Sequence, residues 1–272
     1  MAKSPNVVSR ARAKKDPKPK GSRIRAVWEQ IKSLAGAVLI YLVIRTFLVE
    51  AFRIPSGSMI PTLLVGDWLF VNKAVYGPTI PFTDIHLPGY SDPKHGDVVV
   101  FVSPPQFDNG ADSTPTLVKR LIGMPGDTLY MRAGVLYLNG LEQRPGFGAR
   151  PYRGDSGQTP PDDVSPDFVW QKKYALDKTR FGSAPAVPTH DSWGPLLVPA
   201  GHYFMMGDNR YCSKDSRYWG IVPRANVRGQ PLFVYYSYVP GSEESSCDGD
   251  VSDRPVSFIT DIRWSRLFHR IR

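Results

Sequence analysis

Cysteine is nearly missing from this chain of 272 residues, which has only Cys212 and Cys247. Two cysteines without a CxxC spacing exclude a zinc-ribbon centre and a disulfide-dense scaffold. They leave either one bridge or two free thiols, and the Cα separation that would decide is not in the sequence. Histidine is scarce too, at five, and none stands near the serine-containing turn at 55–63. A serine nucleophile there needs a base of another residue type. Acidic residues are almost absent from positions 1–32, which hold ten Lys/Arg and two acids; positions 33–272 hold 24 basic and 23 acidic side chains. The formal charge of +9 therefore belongs to the N-terminal arm, and the sequence pI of 9.5 gives no reason to make the remainder a nucleic-acid-binding body. Internal repeats are absent. A long uncharged run is also lacking: Lys32 and Arg45 leave twelve residues between them, short of the ~20 that a bilayer crossing requires.

The crossing becomes long enough if it begins near Ile24 or Ala26 and the basic side chains snorkel toward headgroups. The sequence thus predicts one transmembrane helix over 26–47. The arm before it (Lys3, Arg10, Arg12, Lys14, Lys15, Lys18, Lys20, Arg23, Arg25) places the N-terminus in the cytoplasm and everything beyond the span on the exported side. A disordered nucleic-acid tail is the competing reading of the arm, and its position directly before an apolar stretch favours topology. No small-x-small site with a polar mature start follows, so an uncleaved anchor is expected rather than a signal peptide.

Proline (26) and glycine (24) are abundant, and β-branched and aromatic runs outnumber helical periodicities. These features predict a mainly β, antiparallel, barrel-like body. Strands are expected at 67–73, 97–102, 116–123, 202–206 and 231–238. A hairpin is expected from 128–131 to 135–138 about Arg132-Ala133-Gly134, with a tight turn at Asn139-Gly140. The expected organisation is a disordered basic arm at 1–25, the anchor at 26–47 and a catalytic β body at 48–142 and 199–272. Between its two parts, 143–198 is a loop-rich insert, read as either a β-ribbon or a surface loop. Residues 241–253 read as a polar loop. The tail Ile262–Arg272, mixing Trp264, Leu267, Phe268 and Ile271 with arginines, reads as an interfacial segment or as the last packed element.

Ser58 is the candidate nucleophile. Gly57 permits unusual backbone angles, and Pro55 and Pro61 stiffen both sides. The Ser56 hydroxyl and the Ser58 N–H are candidate oxyanion donors. Lys119 is the candidate base, because burial among Leu117, Val118, Leu121 and Ile122 would disfavour its ammonium form. Strand alternation alone equally allows Lys119 to face solvent with Arg120 inside. No acid flanks Lys119 in the sequence. The segment 206–220 combines charges of both signs with two serines and reads as a solvated loop or as a scaffold. In the scaffold, Ser213 donates to the neutral lysine and an Asp215–Arg217 pair locks the segment.

Four stretches, Phe52-Arg53-Ile54-Pro55-Ser56-Gly57-Ser58-Met59, Gly96-Asp97-Val98-Val99-Val100-Phe101, Val118–Asp127 and Gly207–Arg217, resemble the successive boxes of bacterial type I signal peptidases (leader peptidases), in family order and over about residues 40–240. The resemblance implies an antiparallel β fold with Ser58 as nucleophile, Lys119 as general base and Ser56 with Ser58 as oxyanion donors. It implies that Ser213 orients Lys119, with Gly207, Asp208, Arg120, Asp215 and Arg217 in support. Phe52, Ile54, Met59, Leu63, Val100 and Val118 would line shallow pockets for small residues at −3 and −1. The implied partners are signal peptides of exported preproteins and the lipid bilayer, with no nucleic acid, no metal and no organic cofactor. The implied location is the bacterial inner membrane, with the catalytic domain on the periplasmic side. The chain departs from the family pattern at Tyr211-Cys212, where Asp-Asn usually precedes the serine. It also shows one anchor where many members carry two. A dedicated maturation peptidase with few substrates, and an inactive tethered adaptor of the same fold, are the alternative functions. A self-cleaving repressor with a Ser/Lys dyad is disfavoured by the anchor.

Overall fold

A computed structural model describes residues 20–83, 85–106, 113–143, 164–176, 181–239 and 260–271. The arm up to residue 19, the expected 241–253 loop, Cys247 and much of the expected insert lie outside the described residues. The chain divides into two compact units, Met1–Ile44 and Arg45–Arg272.

The first unit is built on helix α1 (Lys20–Val43). With the turn that follows, Arg25–Leu48 is a 24-residue helical stretch of mean hydropathy 1.8, none of it buried. At ~1.5 Å per residue it is long enough to cross a bilayer core. Lys32, one of four charged residues in it with Arg25, Glu29 and Arg45, pairs with Glu29 at 3.4 Å and lies over the Trp28 ring, which lowers the cost of carrying it there.

The second unit is mainly β. Its strands are β1 (Val49–Arg53), β2 (Asp67–Asn72), β3 (Val98–Val102), β4 (Thr116–Gly123), β5 (Thr128–Arg132), β6 (Val135–Leu138), β7 (Leu141–Glu142), β8 (Trp193–Leu197), β9 (His202–Met206), β10 (Val222–Pro223), β11 (Val227–Ser237) and β12 (His269–Arg270). One sheet runs β1-β2-β11-β3-β4-β9-β10 with β12 also on β11, and the other runs β7-β6-β5-β8. Pairing is antiparallel throughout. The hairpin from β5 to β6 and the turn into β7 fall where the sequence predicts, with Ala133, Gly134, Asn139 and Gly140 all at positive φ. This is the backbone geometry that tight hairpins demand.

Strand β2 alternates strictly between buried and half-buried positions. Leu69 and Val71 point to the core, while Phe70 on the other face stacks on Tyr235 at 4.2 Å. Strand β4 does not alternate, and its last five residues, Lys119 to Gly123, are all buried. The cause is that its two faces meet different cores. Leu121 joins a cluster with Phe101, Met205 and Val222, whereas Ile122 joins one with Leu129, Trp193 and Phe204. A third cluster, around Ile54, Met59, Leu63 and Val100, packs beside the N-terminal half of β4. The tail is a packed element: β12 pairs with β11, and Arg266 reaches the fully buried Asp67 at 2.6 Å. Trp264 and Phe268 stay exposed.

Candidate active site

The turn at 55–63 leaves β1 and re-enters the third cluster. Gly57–Met59 form one 3-10 turn that closes with Ile60 N–H donating to Gly57 O. Met59 and Leu63, which follow Ser58, are buried, and Ser58 itself is buried rather than open to bulk water. The turn is also held from outside: Asn209 N–H donates to Ser58 O at 3.1 Å, and Asn209 Nδ2 donates to Gly57 O at 3.2 Å.

Lys119 arrives from β4. Pairing of Val99 with Lys119 and of Arg120 with Met206 sets the register. Lys119 is 3% exposed and its Nζ stands 2.5 Å from Ser58 Oγ. Burial pushes the amine down to about 8 from its ordinary 10.5; Asp215 and Asp208 pull it up and Arg217 pushes it further down. No acid flanks Lys119 along the chain, but folding brings both carboxylates close from the 206–220 segment. The solvent-facing alternative for Lys119 is overturned, since both it and Arg120 are buried.

Arg120 forms a two-pronged pair with Asp208, Nε to Oδ1 and Nη2 to Oδ2, both at 2.6 Å, and its Nη1 donates to Gly96 O. Thr62 completes this corner, donating to Asp208 Oδ2 and accepting from Arg120 Nη2. A planar fork on a planar carboxylate fixes orientation as well as charge. It ties the serine turn, β4 and the segment after β9 into one frame.

Asp215 organises the other side. Its Oδ2 accepts from Gly207 N–H at 3.0 Å and from Ser213 Oγ at 2.8 Å, while Arg217 grips both of its oxygens. Burial alone would raise this carboxyl; the Arg217 guanidinium, with the Gly207 N–H and the nearby Lys119 amine, brings it to about 2. One detail of the expected scaffold is corrected. Ser213 donates to Asp215, not to Lys119. A hydroxyl has one proton, and a buried carboxylate is a stronger acceptor than an amine. The Ser213 lone pairs remain free to accept. Ser56 Oγ lies 3.4 Å from Ser58 Oγ. The six expected pocket residues converge: Ile54, Met59, Leu63 and Val100 are buried in the third cluster, and Phe52 and Val118 pack against it half-buried.

A Cβ on Gly207 would stand 2.2 Å from Ser213 Oγ and 2.5 Å from Ser58 O. Gly207→Ala is therefore expected to cost about 1–3 kcal/mol of stability and to slow turnover by at least about tenfold through displacement of the serine turn. Urea unfolding and turnover on the same preparation check this, and wild-type turnover would exclude the close approach.

The sequence reading assigned no role to Thr62, Asn209, Arg210 or His190. Asn209 and Arg210 lay inside a recognised box, which was a usable signal. His190 lies in a weakly periodic stretch that offered none. Cys212 is disulfide-bonded, with its neighbours Tyr211 and Ser213 both in the network. Among the described residues, no group of three His, Cys, Asp or Glu side chains converges in a metal-holding arrangement.

The Ser58 hydroxyl thus stands 2.5 Å from an amine that burial holds toward its neutral form, beside the third apolar cluster. The family profile described as "Signal peptidase, peptidase S26" matches residues 27–236. The signal peptidase I of Pseudomonas aeruginosa (strain PAO1) is 38% identical over 219 residues, covering 76% of this chain and 72% of that protein. That of Buchnera aphidicola subsp. Acyrthosiphon pisum is 32% identical over 253 residues, covering 79% and 77%. A crystal structure of a signal peptidase I from Enterococcus faecalis V583 is similar at 28% identity and a TM-score of 0.30, over 52% of this chain and 97% of that one. The matched span contains the serine turn, the lysine strand and the Gly207–Arg217 scaffold, and on that match the chain belongs to the signal peptidase family, peptidase S26.

Proposed function

We propose that the chain is a membrane-anchored endopeptidase that removes signal peptides from exported preproteins after small residues at −3 and −1, with Ser58 and Lys119 as its catalytic pair. The observation that carries this reading is the 2.5 Å approach of a buried lysine to Ser58 Oγ. Neutral Lys119 takes the Ser58 proton as Oγ attacks the carbonyl of the −1 residue. The Ser58 N–H and the Ser56 hydroxyl donate to the developing oxyanion, each such donor being worth ~3 kcal/mol of barrier. The Lys119 ammonium then protonates the departing amine. Water, deprotonated by Lys119, hydrolyses the acyl-enzyme. Gly207, Asp208, Arg120, Ser213, Asp215 and Arg217 hold the pair. The cleft formed by Phe52, Ile54, Met59, Leu63, Val100 and Val118 leaves room for alanine-sized side chains. The helix Arg25–Leu48 tethers the enzyme to the bacterial inner membrane, with the basic arm cytoplasmic and the β unit on the periplasmic side.

The test is cleavage of a preprotein with Ala at −3 and −1 by detergent-solubilised protein, with sequencing of the product N-terminus. Cleavage is expected directly after the −1 alanine, and Leu at −1 is expected to slow it by about a hundredfold. Since only the neutral amine accepts the proton, kcat/KM is expected to rise with pH to a plateau above about 8. Cutting at the same bond by Ser58→Ala would remove the reading, and failure to cut any preprotein would favour the inactive adaptor.

A further inference from the structure

His190 is buried, 5% exposed, and has no part in the chemistry above. It stands just before β8 and reaches across to the scaffold. Its Nε2 lies 2.5 Å from Arg217 Nη1 and 2.9 Å from Arg210 O, and its Nδ1 lies 2.7 Å from Asp191 Oδ1. Tyr211 stacks on the ring at 4.9 Å and donates its hydroxyl to Asp191 Oδ2. Tyr218 packs nearby at 6.4 Å.

We propose that His190, neutral and protonated on Nδ1, is a positioning residue of the peptidase: it accepts from Arg217 and so aims that guanidinium at Asp215. The inference rests on the Ser58–Lys119 reading. Arg217 has only protons to offer, so the nitrogen facing it must be an acceptor. Nε2 therefore carries a lone pair, and Nδ1 carries the proton and donates it to Asp191. Arg210 O takes its hydrogen bond from Arg217 Nη2 instead, at 2.6 Å. Charge agrees with this tautomer. Around the ring stand Asp191 and Arg217, and behind Arg217 stand Asp215 and Arg210. Two guanidiniums and two carboxylates balance only if the imidazole is uncharged. A protonated ring would set N–H against N–H at Arg217 and add a third cation to a buried cluster.

The consequence reaches the amine through Asp215. Arg217 donates to both Asp215 oxygens, and Asp215 holds Gly207 N and Ser213. With its Nη1 unpartnered, Arg217 loses its fixed plane, and the Asp215 charge is less fully offset beside Lys119. Asp215 then favours the ammonium form more strongly, so a larger share of Lys119 is protonated at neutral pH.

The test uses the full chain in detergent with three variants. His190→Leu fills the space without an acceptor. His190→Gln keeps an oxygen near the Nε2 position. Ser58→Ala reports on the underlying reading. His190→Leu is expected to lower kcat by roughly ten- to a hundredfold, the size of a lost charge-assisted hydrogen bond, with KM nearly unchanged. The acidic limb of its pH profile is expected to move upward by about half a pH unit or more. His190→Gln is expected to recover most of kcat and the wild-type limb. Equal losses in the Leu and Gln variants with equally lowered Tm would reduce His190 to packing and overturn the proposal. A folded Leu variant with wild-type kcat and limb would do the same. If the Leu variant does not fold, the nitrogen-15 spectrum of the wild-type histidines decides. Nδ1–H is expected for His190 in the active enzyme, and Nε2–H or an imidazolium there would sink the assignment. An active Ser58→Ala variant would instead break the Ser/Lys reading; an inactive one beside a normal His190→Leu would overturn only this inference.

Discussion

Lys119→Met is expected to abolish cleavage and, at the same time, to make the protein more stable. Without the amine, Ser58 keeps its proton and turnover should fall by about ten thousandfold or more, as for other nucleophile–base pairs. The stability gain comes from burial. In the folded chain Lys119 binds its proton only below about 8, whereas in the unfolded chain it does so below 10.5. Between those values the unfolded state holds more protons, so wild-type stability rises with pH across that window. Below about 8 the whole penalty stands, and the difference corresponds to roughly 3 kcal/mol, of which methionine, apolar and similar in length, should recover a large part. Urea unfolding at pH 7 and near pH 10.5 tests it. The variant's advantage should be large at pH 7 and shrink toward pH 10.5. Equal or lower stability at pH 7 would mean that the folded protein tolerates the ammonium and that the low proton affinity is absent.

Arg217→Met is expected to have the opposite effect on stability with the same loss of activity. Both side chains of the Arg217–Asp215 pair are fully buried. Removing the guanidinium leaves a buried carboxylate without the group that grips both of its oxygens, which costs about 3–5 kcal/mol. Gly207 and Ser213 lose their fixed acceptor, and the turn bearing Ser58 loosens with them. The double variant Arg217→Met/Asp215→Leu removes the stranded charge too. It should regain at least about half of the lost stability, because apolar replacements of buried pairs are often neutral, while cleavage stays lost. Stability from urea titrations of the two single variants and the double variant closes the cycle. A double variant less stable than Arg217→Met would show that the pair stabilises by more than charge compensation.

These expectations depend on different levels of structure. Strand β4 was legible at both ends, since an apolar run from Thr116 ends at Gly123 before the turn residues Pro125-Gly126. The β5–β6 hairpin was legible because Gly134 supplies the positive φ that its turn needs between two apolar runs. The serine turn and the charged segment were recognisable as boxes. What alternation left open was the facing of Lys119. A period of two tells inside from outside only when one face is wet, and β4 is packed on both. The carboxylates near Lys119 came from the family resemblance and not from local pattern, for a related reason: Asp208 reaches Arg120 across 88 residues, and no local pattern encodes that approach.

Residue order alone decided strands β2 to β6, β9 and most of β11, the turns, the apolar span and the kinds of side chain available for chemistry, because propensity, turn geometry and hydropathy act over a few neighbours; β8, inside the expected loop-rich stretch 143–198, is set by its pairing with β5. Tertiary structure alone decided that one lysine is dry, that its nitrogen meets one hydroxyl, and that Ser213 gives its proton to Asp215 rather than to that lysine. It also brought His190 against Arg217. Solvent exclusion and charge proximity depend on what packs from distant parts of the chain, and the proton affinity of Lys119 is set by those neighbours rather than by Val118 and Arg120.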